Sequence, residues 1–242
     1  MSMQSATDVE QALMAVASDH DAANLGWFFK TGPGEYGEGD IFIGVRIPAI
    51  RSICKTYASL PLNEISKLVA SPIHELRMTG LIILANRAKK ATSNELREYY
   101  EFYLDHLHRG FINNWDLVDA TCKDVIGRYL IDKDRTPLYN LAKSPILWER
   151  RVAIVSTFAF LALGQPTDTL AIAELLMNDA HDLIHKSSGW LVREAGKKCG
   201  EPVLTDWLDK HATQMPRTML RYAIERLPEP TRRYYLHLKH SS

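Results

Sequence analysis

Apolar residues recur at helical spacing through nearly all of the chain after residue 47. Ile65, Leu68 and Val69 form one stripe; Leu76, Leu81, Leu84 and Ala88 form another, as expected where one face of a 3.6-residue helix is buried. Thr92 followed by Glu95 predicts a capping box that opens a helix running through Leu107. Pro48, Pro72, Pro137, Pro145, Pro166, Pro202, Pro216, Pro228 and Pro230 punctuate the pattern. Most stand at or just before a helix start, where a missing N–H costs nothing because it would have no partner in the helix. No long alternating segment rich in β-branched residues occurs, so strands are not expected. The spacing predicts about a dozen helices of roughly 8–18 residues. Successive pairs of about 40 residues suit an all-α fold, in which stacked antiparallel helix pairs form a curved, HEAT-like solenoid with a concave face. A single domain over residues 1–242 is the simplest division.

One segment breaks this rhythm. Residues 26–44 hold six of the thirteen glycines, together with Trp27, Phe28, Phe29, Tyr36 and Phe42. It lacks the GK[ST] of a phosphate-binding loop and follows no buried strand. A long glycine- and aromatic-rich loop is either a cap over the helices or a surface that meets a ligand, and both readings stand at this point.

Composition narrows the classes. The 242 residues include 29 basic and 29 acidic side chains, for a net charge of zero. No apolar run approaches the roughly 20 residues of a membrane span, and the polar, acidic beginning does not read as a secretory signal. Cys54, Cys122 and Cys199 are widely separated, forming neither a CxxC pair nor a zinc framework. Cytoplasm is the expected compartment and a monomer the expected state. Charge is unevenly spread. Residues 1–50 carry only Lys30 and Arg46 as bases against seven acids, whereas eleven bases and six acids lie between Lys186 and the end. That asymmetry could present a basic face to a phosphate backbone, although solvated helix surfaces would look the same.

Three strings carry candidate chemistry. In NNWDLVD (Asn113–Asp119), Trp115 and Asp119 are four apart and share a helix face, while Leu117 and Val118 turn to the core. Asn113 or Asn114 can cap that helix and Asp116 can meet its dipole, but Asp119 lies beyond the first turn. In LWERRVAI (Leu147–Ile154), Trp148 suits a buried face. Arg150 and Arg151 point about 100° apart, so that one can pair with a neighbour while the other offers a planar fork to phosphate. In HKSSGWLVREAGKK (His185–Lys198), Trp190, Arg193 and Lys197 share a face, combining a flat ring with two cations. A solvated face with a partly buried tryptophan is the rival account. Gly189 and Gly196 would let a neighbouring backbone come close. His181 and His185 are four apart but lack the HExxH glutamate and a third ligand, so no metal site is expected.

Taken in order, these strings resemble the AlkD-type DNA alkylation repair glycosylases, with similarity running from about Trp27 to Tyr235. The resemblance implies Trp115 and Trp190 as aromatic walls, Asp119 as the catalytic carboxylate and Arg151 as the active-site arginine, with Arg150 the near alternative. It places Arg193 and Lys197 near the DNA backbone. GVRIPAIR (Gly44–Arg51) also looks like a family feature; Arg46 there stands where the best-known members carry glutamine, after a longer glycine-rich insert. The implied activity is hydrolytic release of N3- and N7-alkylated, positively charged purines from double-stranded DNA, without metal or cofactor. The family is thought to grip the backbone and sugar. The alternatives are a non-catalytic DNA-structure-binding relative and a helical-repeat protein scaffold.

Overall fold

The computed structural model describes residues 4–238, so Lys239 of the C-terminal basic group lies outside the described residues. The described residues are all-helical apart from turns and an isolated parallel bridge between Ile41 and Ile73. The helices are α1 (Ala6–Met14), α2 (Asp19–Phe28), α3 (Ile47–Thr56), α4 (Leu62–Val69), α5 (His74–Ala88), α6 (Ser93–His108) and α7 (Trp115–Cys122). A π-helical turn, Lys123–Gly127, follows directly. Then come α8 (Thr136–Ala142), α9 (Leu147–Ser156), α10 (Phe158–Leu161), α11 (Thr167–Leu175) and α12 (Asp182–Cys199). The chain continues through α13 (Glu201–His211), α14 (Arg217–Ile224) and α15 (Glu229–His237).

Local chemistry accounts for these boundaries. Thr92 accepts from the backbone of Glu95 while Glu95 reaches back to Thr92, closing the capping box expected for α6. Ser5 and Asp8 close a second box at α1. Pro48, Pro137, Pro202 and Pro230 sit in the first turns of α3, α8, α13 and α15. Contacts gather into two compact units, one up to Val125 and one from Ile126.

In the first unit α5 is the central element, packed by α3, α4 and α7. Residues 74–85 are all buried, charged residues included. A helix enclosed on every side needs partners for any charge it carries, and His74, Glu75 and Arg77 find theirs at its N-terminus (below). In the second unit α12 has the corresponding place, against α9, α11, α13 and α14. The close approach expected at Gly189 is present: a Cβ there would lie 2.3 Å from the Met219 carbonyl oxygen of α14. At Gly196 it would lie 2.6 Å from Leu204 Cβ. Gly189→Ala must therefore push α14 away from α12, and a loss of about 1–3 kcal/mol in urea unfolding is expected. An unchanged midpoint would contradict this packing.

Candidate functional site

The N-terminal turn of α7 is organised by a buried ionic network that the sequence did not reveal. Asn114 caps α7, its side-chain oxygen accepting from Trp115 N at 2.8 Å, and Asp116 Oδ1 accepts from Leu117 N at 2.8 Å. The capping and dipole roles expected of Asn114 and Asp116 are thus both filled. The same side chains also do more. Asn113 and Asn114 each donate through Nδ2 to Asp40 at 3.0 and 3.3 Å. Arg77 donates through Nη2 to Asp40 Oδ1 at 2.6 Å.

His74 bridges the two carboxylates. Its Nε2 lies 2.9 Å from Asp116 Oδ2 and its Nδ1 3.3 Å from Asp40 Oδ2. Ionised carboxylates only accept, so the imidazolium is the form that satisfies both contacts. Burial opposes that charge, but Asp116 and Asp40 outweigh it and raise the His74 pKa above its ordinary value. Burial likewise works against an ionised Asp40, yet His74, Arg77 and Asn113 bring its pKa down to about 2. Beside them Glu75, 1% exposed, accepts through Oε1 from the backbone N–H groups of Ile43, Gly44 and Val45 at 3.1, 2.9 and 3.2 Å. Gly44 has φ +81°, and a Cβ there would lie 2.0 Å from Ser18 O, so this turn admits only glycine without rearrangement.

Part of the glycine-rich segment caps the starts of α5 and α7, the first of its two expected readings. Phe29 is buried and stacks on Trp115 at 5.3 Å and on Phe42 at 5.1 Å, and Phe42 stacks on His74 at 4.5 Å. Trp27 and Phe28 stay outside, 76% and 54% exposed, although Phe28 meets the Trp115 ring edge-on at 6.1 Å. Trp27, Phe28, Phe29 and Phe42, with residues of α3 and the start of α5, line a cavity of about 510 Å³ that Asp116 and His74 also reach. Arg46 stands at its mouth as the N-terminal flank of α3, its exposed guanidinium paired with Asp21 at 2.7 and 2.9 Å.

On α7 itself Leu117, Val118, Thr121 and Cys122 are buried, whereas Trp115, Asp116, Asp119 and Ala120 are half-buried. Trp115 and Asp119 therefore share the outer face, one turn apart. The Tyr103 hydroxyl, fully buried on α6, is held well above its ordinary pKa by burial first, then by Cys122 and the charge of Asp119, against a lowering hydrogen bond from Thr121.

The other sequence-selected residues belong to the second unit. Trp148 is buried, as expected. Arg150 is paired with Asp179, Nε to Oδ2 at 2.5 Å, and donates to the Ser144 and Pro145 carbonyls at 3.0 and 2.9 Å. Arg151 is 5% exposed and donates to Leu183 O at 2.6 Å. On α12, Trp190 is half-buried with its ring 5.9 Å from Phe158, and Lys197 is exposed. Arg193 is turned to Glu225 and Glu194, its side chain only 13% exposed. The Arg150 and Arg193 forks thus already hold carboxylates, and a phosphate there would have to exchange for them. His181 caps α12, accepting from Leu183 N at 3.1 Å. Among the described residues no group of three or more His, Cys, Asp or Glu side chains is placed to hold a metal, and no helix is long and apolar enough to cross a membrane.

These features define an all-helical protein with an aromatic- and carboxylate-lined site at the start of one helix. A solved structure described as a predicted DNA alkylation repair enzyme from Enterococcus faecalis has the same fold. It is 14% identical, with a TM-score of 0.66, over 88% of this chain and 97% of that one. The profile of the DNA alkylation repair enzyme family matches residues 9–227, and the chain belongs to that family. No curated protein matches the sequence. Membership establishes a role in DNA alkylation repair and the all-helical fold expected from the periodicity.

Proposed function

We propose that the protein is a monofunctional DNA glycosylase that hydrolyses the N-glycosidic bond of N3- and N7-alkylated purines in double-stranded DNA. The observation that carries this reading is the outer face of α7, where Trp115 and Asp119 stand one turn apart and the helix N-terminus is served by other groups. An alkylated purine is already cationic and leaves with the bond electrons as a neutral base, so its departure needs no acid. Positive charge then builds on the deoxyribose, and the Asp119 carboxylate is suited to stabilise it and to orient the water that adds at C1′. The ring of Trp115, steadied by Phe29, offers a face to that charge worth about 0.5–2 kcal/mol. The reading assigns Trp190 and Arg151 to the same reaction, and Arg150, Arg193, Lys197 and Arg46 to the DNA backbone. It needs no metal or cofactor, and a monomer acting in the cytoplasm is sufficient for it.

Incubation with duplex DNA carrying 7-methylguanine is expected to release the free base and leave an abasic site. Intact DNA binding without base release from several cationic lesions would overturn the assignment and leave a DNA-structure-binding role.

A further inference from the structure

The first unit holds a second cavity, a groove of about 730 Å³ where α3 and α5 end and α6 begins. It shares no residue with the cavity beside Trp115, and the 15 residues of α5 set it roughly 20 Å from the His74 end. Its floor is Cys54, Ile83 and Tyr99, all buried. Burial pushes the Cys54 thiol up to about 12 and raises the Tyr99 hydroxyl, so neither adds negative charge at neutral pH. The rim is cationic, with Lys55, Arg87, Lys89 and Lys90. Lys89 pairs with Asp124 at 3.2 Å, and Glu95 Oε2 accepts from Thr92 N and Oγ1 at 2.8 and 2.7 Å. Arg87 donates to the Ala58 and Leu60 carbonyls at 2.8 and 2.5 Å, which leaves its charge unmatched by a carboxylate. Lys55 and Lys90 are exposed, and among the described residues no carboxylate lies within ion-pair distance of either. The carbonyl ends of α3 and α5 offset about half a charge each, and the amide end of α6 restores about one such half. A positive surplus remains, in a unit whose first 50 residues carry two bases against seven acids.

We propose that this groove is a docking surface for the phosphate backbone of duplex DNA, with Lys55 and Lys90 as its phosphate contacts. DNA is the polyanion that a member of an alkylation repair family meets. Three arginines expected to face phosphate elsewhere are engaged: Arg150 with Asp179, Arg193 with Glu225 and Arg46 with Asp21. Lys55 and Lys90 need no exchange of partner, so a phosphate that reaches them releases only counterions. Exposed lysine stems suit a backbone, which presents phosphates in series and rewards charge more than fixed geometry. A small phosphate ester would be held by a buried fork, and the half-buried fork here, Arg87, already holds two carbonyls. The contact carries no sequence information and needs no damaged base, so it stands apart from the base-excision reading. It gives the protein a hold on the duplex away from the α7 face, so that DNA without a lesion is bound as well.

The test is binding of the full chain to an undamaged duplex by fluorescence anisotropy, at about 50 and about 200 mM salt. Wild type is compared with the double variant Lys55→Gln, Lys90→Gln. Each phosphate contact contributes about 0.9 to the slope of log affinity against log salt. The variant's slope should therefore be shallower by about 2, and its affinity deficit about tenfold larger at the lower salt. A control, Lys67→Gln with Arg109→Gln, removes the same charge from exposed positions that do not line the groove. An equal loss in the control would trace the effect to net charge and overturn the proposal, as would an unchanged slope in the groove variant or no binding by wild type. Lysine acylation of the wild-type protein, read by mass spectrometry, avoids any variant: the duplex should slow modification of Lys55 and Lys90 severalfold, and unchanged reactivity at both overturns the proposal. Binding of inorganic phosphate or adenosine monophosphate at micromolar concentration, lost in the groove variant, would replace the backbone surface with a small-ligand site. Failure to release base from a 7-methylguanine duplex, assayed separately, counts against excision alone, since the probe here carries no lesion.

Discussion

Replacing Asp119 with asparagine is expected to slow release of 7-methylguanine by about 10²–10³-fold while leaving affinity for the same duplex within about twofold. The substitution keeps the shape and removes the charge. Asp119 sits on the half-buried face of α7, one turn beyond the Asn114 cap and the Asp116 contact to Leu117 N, so the start of the helix should be unaffected. A carboxylate partly withdrawn from water acts on developing positive charge more strongly than one in bulk solvent. Its effect should appear in the single-turnover rate at saturating DNA, since the ground-state sugar carries little charge to attract. A variant with the wild-type rate would remove Asp119 from the reaction. Equal loss of rate and DNA affinity would make it a binding residue.

The largest effect on stability is expected from Asp40→Ala. It removes the acceptor shared by Arg77, His74, Asn113 and Asn114, and leaves a buried guanidinium and a buried imidazolium without their common counter-charge. Breaking a buried ion network in this way costs about 3–5 kcal/mol. Its pH dependence has a definite sign. Burial opposes the charge on Asp40, but His74 and Arg77 depress its pKa to about 2 from an ordinary 3.8. Its contribution is therefore present above 3.8 and lost as pH falls towards 2. The pKa of His74, raised by Asp116 and Asp40 against burial, lies above an ordinary 6.5. That contribution is fully present below 6.5 and is lost as pH rises through the folded value. The melting-temperature gap between wild type and Asp40→Ala should be widest between these limits and narrow on either side. A gap independent of pH would show that the network does not titrate with folding.

Much of the helical framework can be read from local pattern. The stripes at Ile65–Val69 and Leu76–Ala88 became α4 and α5, and the Thr92–Glu95 box opens α6, because each signal acts within a turn or two of the chain. The shared face of Trp115 and Asp119 was legible for the same reason. The ionic network was not: His74 meets Asp40 and Asp116 across 34 and 42 residues, and no short-range spacing announces such a pairing. One trace was available. After Arg77 the chain carries no charge until Arg87, too long an apolar stretch for a helix with one face in water. Such a helix must be enclosed, and the charges at its start, His74, Glu75 and Arg77, must have buried partners. The arginines show the converse difficulty. Helical position puts Arg150 and Arg193 near a surface, but only the fold supplies Asp179 and Glu225 as their partners.

The glycine-rich segment is fastened at both ends, by Phe29 under Trp115 on one side and by Glu75 holding the amides of Ile43 to Val45 on the other. Between these anchors the stretch around Pro33 to Glu35 is exposed. Its length and composition can therefore change without disturbing α5 or α7, much as a handle can be exchanged when its two fittings stay in place. A peptide tag, a fluorophore site or a foreign loop grafted there would ride beside the cavity mouth, making this tip a natural port for engineering the protein.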